Sequence, residues 1–455
     1  MTERSSLIKI IILQDFILDP REISIPKKVI EKIDFNKEIF FKFGAEKKEV
    51  NCTANDTEDI IYISSSLVDE FSVYSGMKTN FIINENVICI GPVIGSFTDT
   101  TSVRIASEQR PGTKLKCLCE SNRDARTILY FFSVNDFDSE NERIHGTYYN
   151  YVAERWEKGY FPIPDVLYDR GGGILNKQKG ASQYIRETIE KDENVMRFNP
   201  RYYFDKWQVY DKLNRYDEVK KYLPLTIRYR NASDLLMMLE KSKTLYIKDR
   251  VGNRGIGVTR IVKLLDGTFD LSYFTKELFQ ERYYSFEGLV SRIDELYKGK
   301  NAIIQPSIDM IKVDEGNVDM RATVQRDGNG NLGIVACPVR LGKSGAPITS
   351  TRSGSKVYRF EEFFMSILNY PKEKIDGIKA KIDDFLISTY KAIEDIYGRF
   401  GEIGIDFAID KSGEIWFIEC NAKPGKDTVY LSYDKETIKK AFLNPLEYAK
   451  YIAGY

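Results

Sequence analysis

Apolar positions in this chain change their period from one stretch to the next, and those changes mark its elements. Ile375, Ile378, Ile382, Phe385, Leu386, Ile393 and Ile396 recur at helical spacing, which predicts a long amphipathic helix over 374–398 with one buried stripe. Two β-prone runs follow, Gly404 to Asp410 and Glu414 to Gly425, joined by a turn at Lys411-Ser412-Gly413, the pattern of a hairpin. Upstream, Phe204, Trp207, Tyr210 and Leu213 predict a helix with Lys206 and Asp211 on its other faces. Then come a helix at 232–241, a strand at 244–250, a glycine loop, a strand at 256–263, a helix at 286–298, a strand at 301–306 and two long strands near 318–326 and 332–340. The first part is choppier. Short strands at Leu7 to Leu13, Glu38 to Phe43 and Asp59 to Ile63 read as a small β-rich unit over 1–80, and 81–195 reads as an α/β unit holding Thr127 to Ser133 and Ile163 to Arg170.

A length of 455 residues fits two or three domains. Lys+Arg and Asp+Glu are both 67, so no global basic field recommends nucleic acid or an anionic membrane as partner. No run reaches the length of a membrane span, and Leu7 to Leu13, interrupted by Lys9, reads as a first strand and not a signal peptide. Six cysteines without CxxC spacing read as reduced thiols of a cytosolic protein, with Cys117 and Cys119 on one side of a strand. The single histidine, His145, reads as structural and removes multi-histidine metal sites and almost all triad chemistry. What remains is chemistry on carboxylates, lysines, arginines and metal.

Three groups of residues carry such chemistry. If Asp410 pairs with Gly413, the pleat places Asp406 opposite Phe417, with Phe417, Glu419 and Asn421 on its face. Asp406, Glu419 and Asn421 are then hard oxygen ligands suited to Mg²⁺; the plain alternative is the exposed face of an ordinary hairpin. Lys248, near the end of a strand and followed by Gly252, Gly255 and Gly257, can lay an ammonium and backbone N–H groups around polyphosphate. The next element reads as strand, which separates the loop from Walker A and dinucleotide motifs, where a helix follows. Between these groups, an apolar strand through Ile303 and Ile304 runs into a short polar hinge, Gln305, Pro306, Ser307 and Ile308, that can pair with an adenine edge. Asp319 and Arg321 share a face, and Arg340 follows on the next strand; the alternative is a ladder of surface ion pairs.

In chain order these parts resemble the ATP-grasp fold over about 196–455, an α+β fold whose two lobes clasp ATP. At finer level the chain is similar to the YheC/YheD-like, endospore-coat-associated branch. The similarity rests on Pro164 to Arg170, Asp205-Lys206-Trp207, Tyr222 to Thr226, Val318 to Arg321, and Asn444 to Tyr451. It implies a lid lobe at about 225–305, preceded by a β-rich domain (1–80) and an α/β pre-ATP-grasp domain (81–195). It also implies ATP and Mg²⁺ as cofactors, with Lys206, Lys248, Gly252, Gly255, Gly257, Gln305 to Ile308 and Asp319 around ATP and Asp406, Glu419 and Asn421 around metal. Arg340, Arg321 and Arg352 would then stabilise an acyl phosphate, through which a small-molecule or peptide carboxylate is joined to an amine. Cytoplasmic residence and spore-coat protein partners are part of the same expectation. So are two other outcomes, a non-catalytic nucleotide-binding coat protein and a small-molecule kinase. Two departures stand out: Asp249 follows Lys248 where the fold commonly has proline, and Ser350-Thr351-Arg352-Ser353-Gly354 replaces the usual Asn-x-x-Gly-Gly.

Overall fold

Four β-sheets organise the chain in a computed structural model that describes residues 7–173, 175–251, 257–274, 277–344, 349 and 354–455. The first, of eight strands, runs from Ile8–Asp15 to Val87–Gly91 and so passes the expected limit at residue 80. The second has a parallel centre in the order Ile128–Phe132, Val93–Phe97, Val166–Asp169, Met196–Phe198. One apolar cluster joins Ile12, Phe41, Ile63 and Phe81 of the first sheet to Phe97, Tyr130 and Phe161 of the second, so the two share a core. Cys117 and Cys119 lie on the helix Thr113–Ala125, not on a strand. Leu115, Leu118, Asn122 and Ala125 are buried at three- to four-residue spacing there, and that period outweighs the local alternation read at Cys117-Leu118-Cys119.

The third sheet is antiparallel throughout, in the order Ile227–Tyr229, Ala302–Pro306, Thr244–Asp249, Val258–Lys263, Phe269–Phe274, Leu278–Tyr283. Ala232–Lys241 and Phe286–Leu296 contribute Leu235, Met238, Leu289 and Ile293 to a core shared with Ile247, Ile261, Leu271 and Ile304. Its last two strands lie where the sequence reading placed no element.

Gly316–Arg326 and Glu402–Ile409 form the centre of the fourth sheet, and helix Lys372–Tyr397 packs Ile375, Ile382, Phe385 and Ile393 against Ile403, Ile405 and Phe407. The strand expected at 332–340 is two pieces, Leu332–Ala336 and Val339–Leu341. Pro338 lies in the break, where it can offer no ladder N–H, and its carbonyl accepts from Arg321 N at 3.1 Å. The C-terminal helix Lys435–Ile452 turns back and places Phe442, Leu446 and Ala449 against Ile94, Phe131 and Phe198 of the second sheet.

Asn199 joins the second and fourth sheets. It is fully buried with φ 58°, a left-handed conformation that Asn tolerates better than most residues. Its Nδ2 donates to Glu402 O (3.0 Å) and Ala422 O (2.9 Å), and its Oδ1 accepts from Gly401 N (2.9 Å). Asn199→Ala removes these bonds and a longer one from Glu402 N (3.4 Å), and leaves two buried carbonyls and two N–H groups without that partner. It should lower unfolding free energy by roughly 3 kcal/mol, read from the urea midpoint.

Candidate active site

The strand Glu402–Ile409 is buried at every position, yet one of its faces is polar. Ile403, Ile405, Phe407 and Ile409 meet the long helix, while Glu402, Gly404 and Asp406 point the other way. On Gly316–Arg326 the partners of those three are Gln325, Thr323 and Arg321.

The hairpin register differs from the expected one. Phe407 pairs with Phe417 and Asp406 pairs with Glu419, so Ile418 is an extra residue in a β-bulge. The bulge resets the alternation. Phe417 goes into the core, and Glu419 and Asn421 share the face of Asp406. Asp406 and Glu419 are therefore direct neighbours, closer than the diagonal step read from the sequence, and Phe417 leaves the face assigned to it. The hydroxyl of Tyr210, a side chain the sequence reading placed in the core stripe, donates to Ile418 O at 2.6 Å. Phe417 N donates to Tyr222 O at 2.8 Å, so both sides of the bulge are tied down.

Around Asp406 the charges form a ladder. Arg321 approaches with Nε at 2.7 Å from Oδ1 and Nη2 at 2.5 Å from Oδ2, and Arg340 Nη2 lies 3.2 Å from Oδ2. Arg340 also forks onto Asp319, at 2.6 and 2.7 Å, and Thr349 Oγ1 donates to the same carboxylate. Burial works against the charge of Asp406, but Arg321 and Arg340 outweigh it and hold the carboxyl below its ordinary value. Asp319 goes the other way, because burial raises it more than Arg340 lowers it, and the charge of Asp406 adds to the rise. Both guanidiniums are engaged with carboxylates, as in the ion-pair ladder that the sequence left as the alternative.

Two lysines flank Glu419. Lys206 opens the helix Lys206–Leu213, and its Nζ is 3.6 Å from Glu419 Oε2. Asp205 caps that helix through Gln208 N and takes a two-pronged bond from Arg250 (3.1 and 2.7 Å), which fastens the helix to the third sheet. Lys248 Nζ donates to Gln305 Oε1 at 2.7 Å, and Gln305 Nε2 donates to Thr226 Oγ1 at 2.8 Å. Burial pulls Lys248 down to about 8, opposed by Glu419 and aided by Lys206. Gln305 and Pro306 pair in register with Tyr246 and Leu245, and Ser307 N donates to Thr244 O at 2.9 Å. That N–H therefore serves the sheet and is not offered to a heterocycle, while Ile308 follows just beyond the strand. Gly257 (φ 74°) closes the hairpin, its carbonyl accepting from Asp249 N at 2.9 Å. Gly252, Gly255 and Arg352 lie outside the described residues.

A family model described as YheC/D like ATP-grasp matches residues 194–452. The chain belongs to the YheC/D-like ATP-grasp family. Two curated relatives from Bacillus subtilis (strain 168) are similar to it. Endospore coat-associated protein YheD is 23% identical over 411 residues, covering 87% of this chain and 86% of that protein. Endospore coat-associated protein YheC is 23% identical over 321 residues, covering 70% and 87%. Among solved structures, VanG D-Ala:D-Ser ligase from Enterococcus faecalis gives a TM-score of 0.47 at 15% identity, covering 79% of this chain and 98% of that one. D-cycloserine synthetase DcsG gives 0.45 at 12%, covering 78% and 99%. These two are likenesses of shape too distant to argue from.

Within this YheC/D-like ATP-grasp chain, the residues present fit a hard divalent cation. Carboxylate, carboxylate and amide share one face, and Asn421 Nδ2 is buried without a hydrogen-bond partner among the described residues, none of which therefore holds that amide in one orientation. Asp406 enters such a set while also bound to arginine. Tyr210, Arg250 and Thr349 support the site and were given no role there from the sequence, while Asp205 and Thr226 entered only among the residues of the family resemblance; a hydroxyl within an apolar stripe is the signal that could have found Tyr210. Tyr210→Phe keeps the ring and frees the Ile418 carbonyl. It should weaken Mn²⁺ binding, followed by electron paramagnetic resonance, by about tenfold, the equivalent of one lost hydrogen bond, with no change in overall secondary structure.

Proposed function

We propose that this protein is an ATP- and Mg²⁺-dependent carboxylate–amine ligase working through an acyl phosphate, with an amino acid or peptide as substrate. The observation that carries the reading is the convergence of Lys206, Lys248, Arg321 and Arg340 on the face that bears Asp406, Glu419 and Asn421. Lys206 and Lys248 bring two ammonium groups to the anionic end of a nucleotide, and Gln305 holds the second of them in place. Glu419, Asn421 and Asp406 would hold the cation, whose chemistry is to neutralise the transferring phosphoryl group. Arg321 and Arg340 stabilise the oxyanion charge that develops when a substrate carboxylate attacks the γ-phosphorus and ADP leaves; an amine then attacks the acyl carbon, giving up a proton as phosphate leaves. No enzyme nucleophile is needed. In this reading residues of about 225–305 close over the nucleotide and keep water from the acyl phosphate, while Arg352 contributes from the acceptor side.

A second reading, a nucleotide-binding coat protein without turnover, is favoured by the names of the two Bacillus relatives and by the double engagement of Asp406 with arginine. The two readings part on ADP release. With Mg-ATP and a panel of amino acids and dipeptides, the ligase reading expects release of ADP and phosphate with an amide product. It also expects Glu419→Gln to cut that rate by roughly a hundredfold or more. Binding of Mg-ATP with no turnover on any pair would select the coat protein, and a stable phosphorylated product without an amide would select a kinase.

Lys248 supplies a pH dependence whose sign follows from its position near 8. Below that value it is charged and available to phosphate; above it the free protein holds it neutral and binding must take up a proton. ADP affinity should therefore fall as pH rises from 7 through 9, with proton uptake visible by calorimetry in buffers of different ionisation heat. Lys248→Ala should bind more weakly at pH 7 and lose the dependence. An unchanged slope in that variant would remove Lys248 from the nucleotide site.

A further inference from the structure

Three neighbouring strands of the third sheet set three polar side chains in a row. Lys248 lies opposite Ile303 and Gln305 opposite Tyr246, so lysine and glutamine are diagonal neighbours on one face. Ile227 lies opposite Ile304, which puts Thr226, one residue earlier, beside Gln305 on its other flank. Leu245, Ile247 and Ile304 fill the core behind the sheet, while Ile303, on the face of the row, joins the core of the fourth sheet. The row is therefore turned toward the hairpin that carries Asp406 and Glu419.

Hydrogen bonds along the row run in one direction. Lys248 Nζ donates to Gln305 Oε1 at 2.7 Å, Gln305 Nε2 donates to Thr226 Oγ1 at 2.8 Å, and Thr226 Oγ1 donates to Pro224 O at 2.8 Å. A hydroxyl has a single proton to give. That of Thr226 is spent on the Pro224 carbonyl, so its oxygen accepts from Gln305, and the amide turns its nitrogen to Thr226 and its oxygen to Lys248. The reverse orientation would set an amide N–H against the ammonium and leave Oε1 facing a hydroxyl whose proton is already used. Gln305 is 2% exposed, so water does not make good either loss. An ammonium carries three N–H bonds. Gln305 takes one from Lys248, and the other two have no acceptor among the described residues. Glu419 and Lys206 are the charged groups that act on Lys248, but the ion pair at Glu419 is made by Lys206, which leaves Gln305 to fix where the Lys248 ammonium stands.

We propose that Thr226 is a positioning residue of the nucleotide site: by orienting the Gln305 amide it holds the Lys248 ammonium with two N–H bonds turned to the phosphates of a nucleoside diphosphate or triphosphate. The proposal rests on the nucleotide-binding part of the ligase reading and adds to it a residue that acts only through two others. Preorganisation of this kind matters most where a charged group is buried, because a lysine free to wander there would lose its one neutral acceptor before the phosphate arrives.

The test is a double-mutant cycle on ADP affinity, measured by calorimetry on the full chain with Mg²⁺. Thr226→Val keeps the shape of the side chain and removes the hydroxyl, and ADP affinity should fall by about tenfold, as for one charge-assisted contact. In a chain that already carries Lys248→Ala, the same change should cost no more than about twofold, because the lysine it positions is gone. Thr226→Ser keeps the hydroxyl and loses a methyl group, so it should bind ADP more tightly than Thr226→Val; a role in packing alone gives the opposite order. If Thr226→Val does not fold, Thr226→Cys, of similar size with a weak S–H donor, takes its place in the cycle and should also weaken ADP binding only where Lys248 is present. Native affinity in the substituted chain, an equal loss with and without Lys248, or Ser weaker than Val overturns the proposal. Absence of ADP binding by the native protein strikes the ligase reading and the proposal with it, whereas native binding that the Thr226 changes leave untouched strikes the proposal alone.

Discussion

A strand buried on both sides that nonetheless carries two carboxylates sets the terms for the rest of this molecule. Every residue of Glu402–Ile409 is shielded from water, so Glu402 and Asp406 can stay ionised only where cations are brought to them. Arg321 and Arg340 come from neighbouring strands of the same sheet. Arg170 comes from the second sheet and Lys426 from the segment after the hairpin. Burial would raise Glu402, yet Lys426 and Arg170 bring it down to about 2. Charge compensation thereby fixes which parts of the chain must meet, and it brings the second sheet and the C-terminal segment to the face where the candidate site lies.

Apolar periodicity made most of the fourth sheet and its long helix legible, since Ile375, Ile382, Phe385 and Ile393 do bury the stripe they spell. The register of the last hairpin was not legible. A bulge adds no residue type of its own, and Ile418 reads like any strand residue until the Tyr210 hydroxyl is found on its carbonyl. Strand Leu278–Tyr283 carries exposed or half-exposed residues throughout, so its pattern lacks a buried face, whereas Phe269–Phe274 alternates legibly at Phe269, Leu271 and Tyr273 and was passed over. The shared core of the first two sheets was also hidden. Nothing local in Phe41 or Phe161 tells which sheet each will face.

The candidate site's charged residues were legible as residue types and not as partners. Asp319, Arg321, Arg340 and Asp406 could be picked out as a set of charges on adjacent strands, but which carboxylate each guanidinium takes depends on the cross-strand register. Asp319 opposite Arg340 and Arg321 opposite Asp406 are direct neighbours, with Arg340 reaching across to the second carboxylate. Lys206 and Lys248 lie far apart in sequence and reach one place because Arg250 ties the capping Asp205 to the end of the third sheet.

That register gives the site a definite resting electrostatics. Asp406 is already paired, so a cation drawn to the hairpin meets Glu419 and Asn421 first and shares Asp406 only if Arg321 yields or keeps one oxygen. A carboxylate has room for this, since two oxygens offer about four lone-pair positions and guanidinium binding uses only part of them. Moving Arg321 away altogether would leave a buried guanidinium in need of another anion, and its nearest alternative is Glu419, 3.9 Å away. A cation bound there would therefore compete with the guanidinium for the same two carboxylates. Either the arginine stays and the cation completes its shell with substrate oxygens, or the arginine leaves toward an incoming anion that takes over its compensation. On the ligase reading, an anionic substrate and the cation would enter as a coupled pair, because the resting carboxylates are already compensated and either one alone would unbalance them.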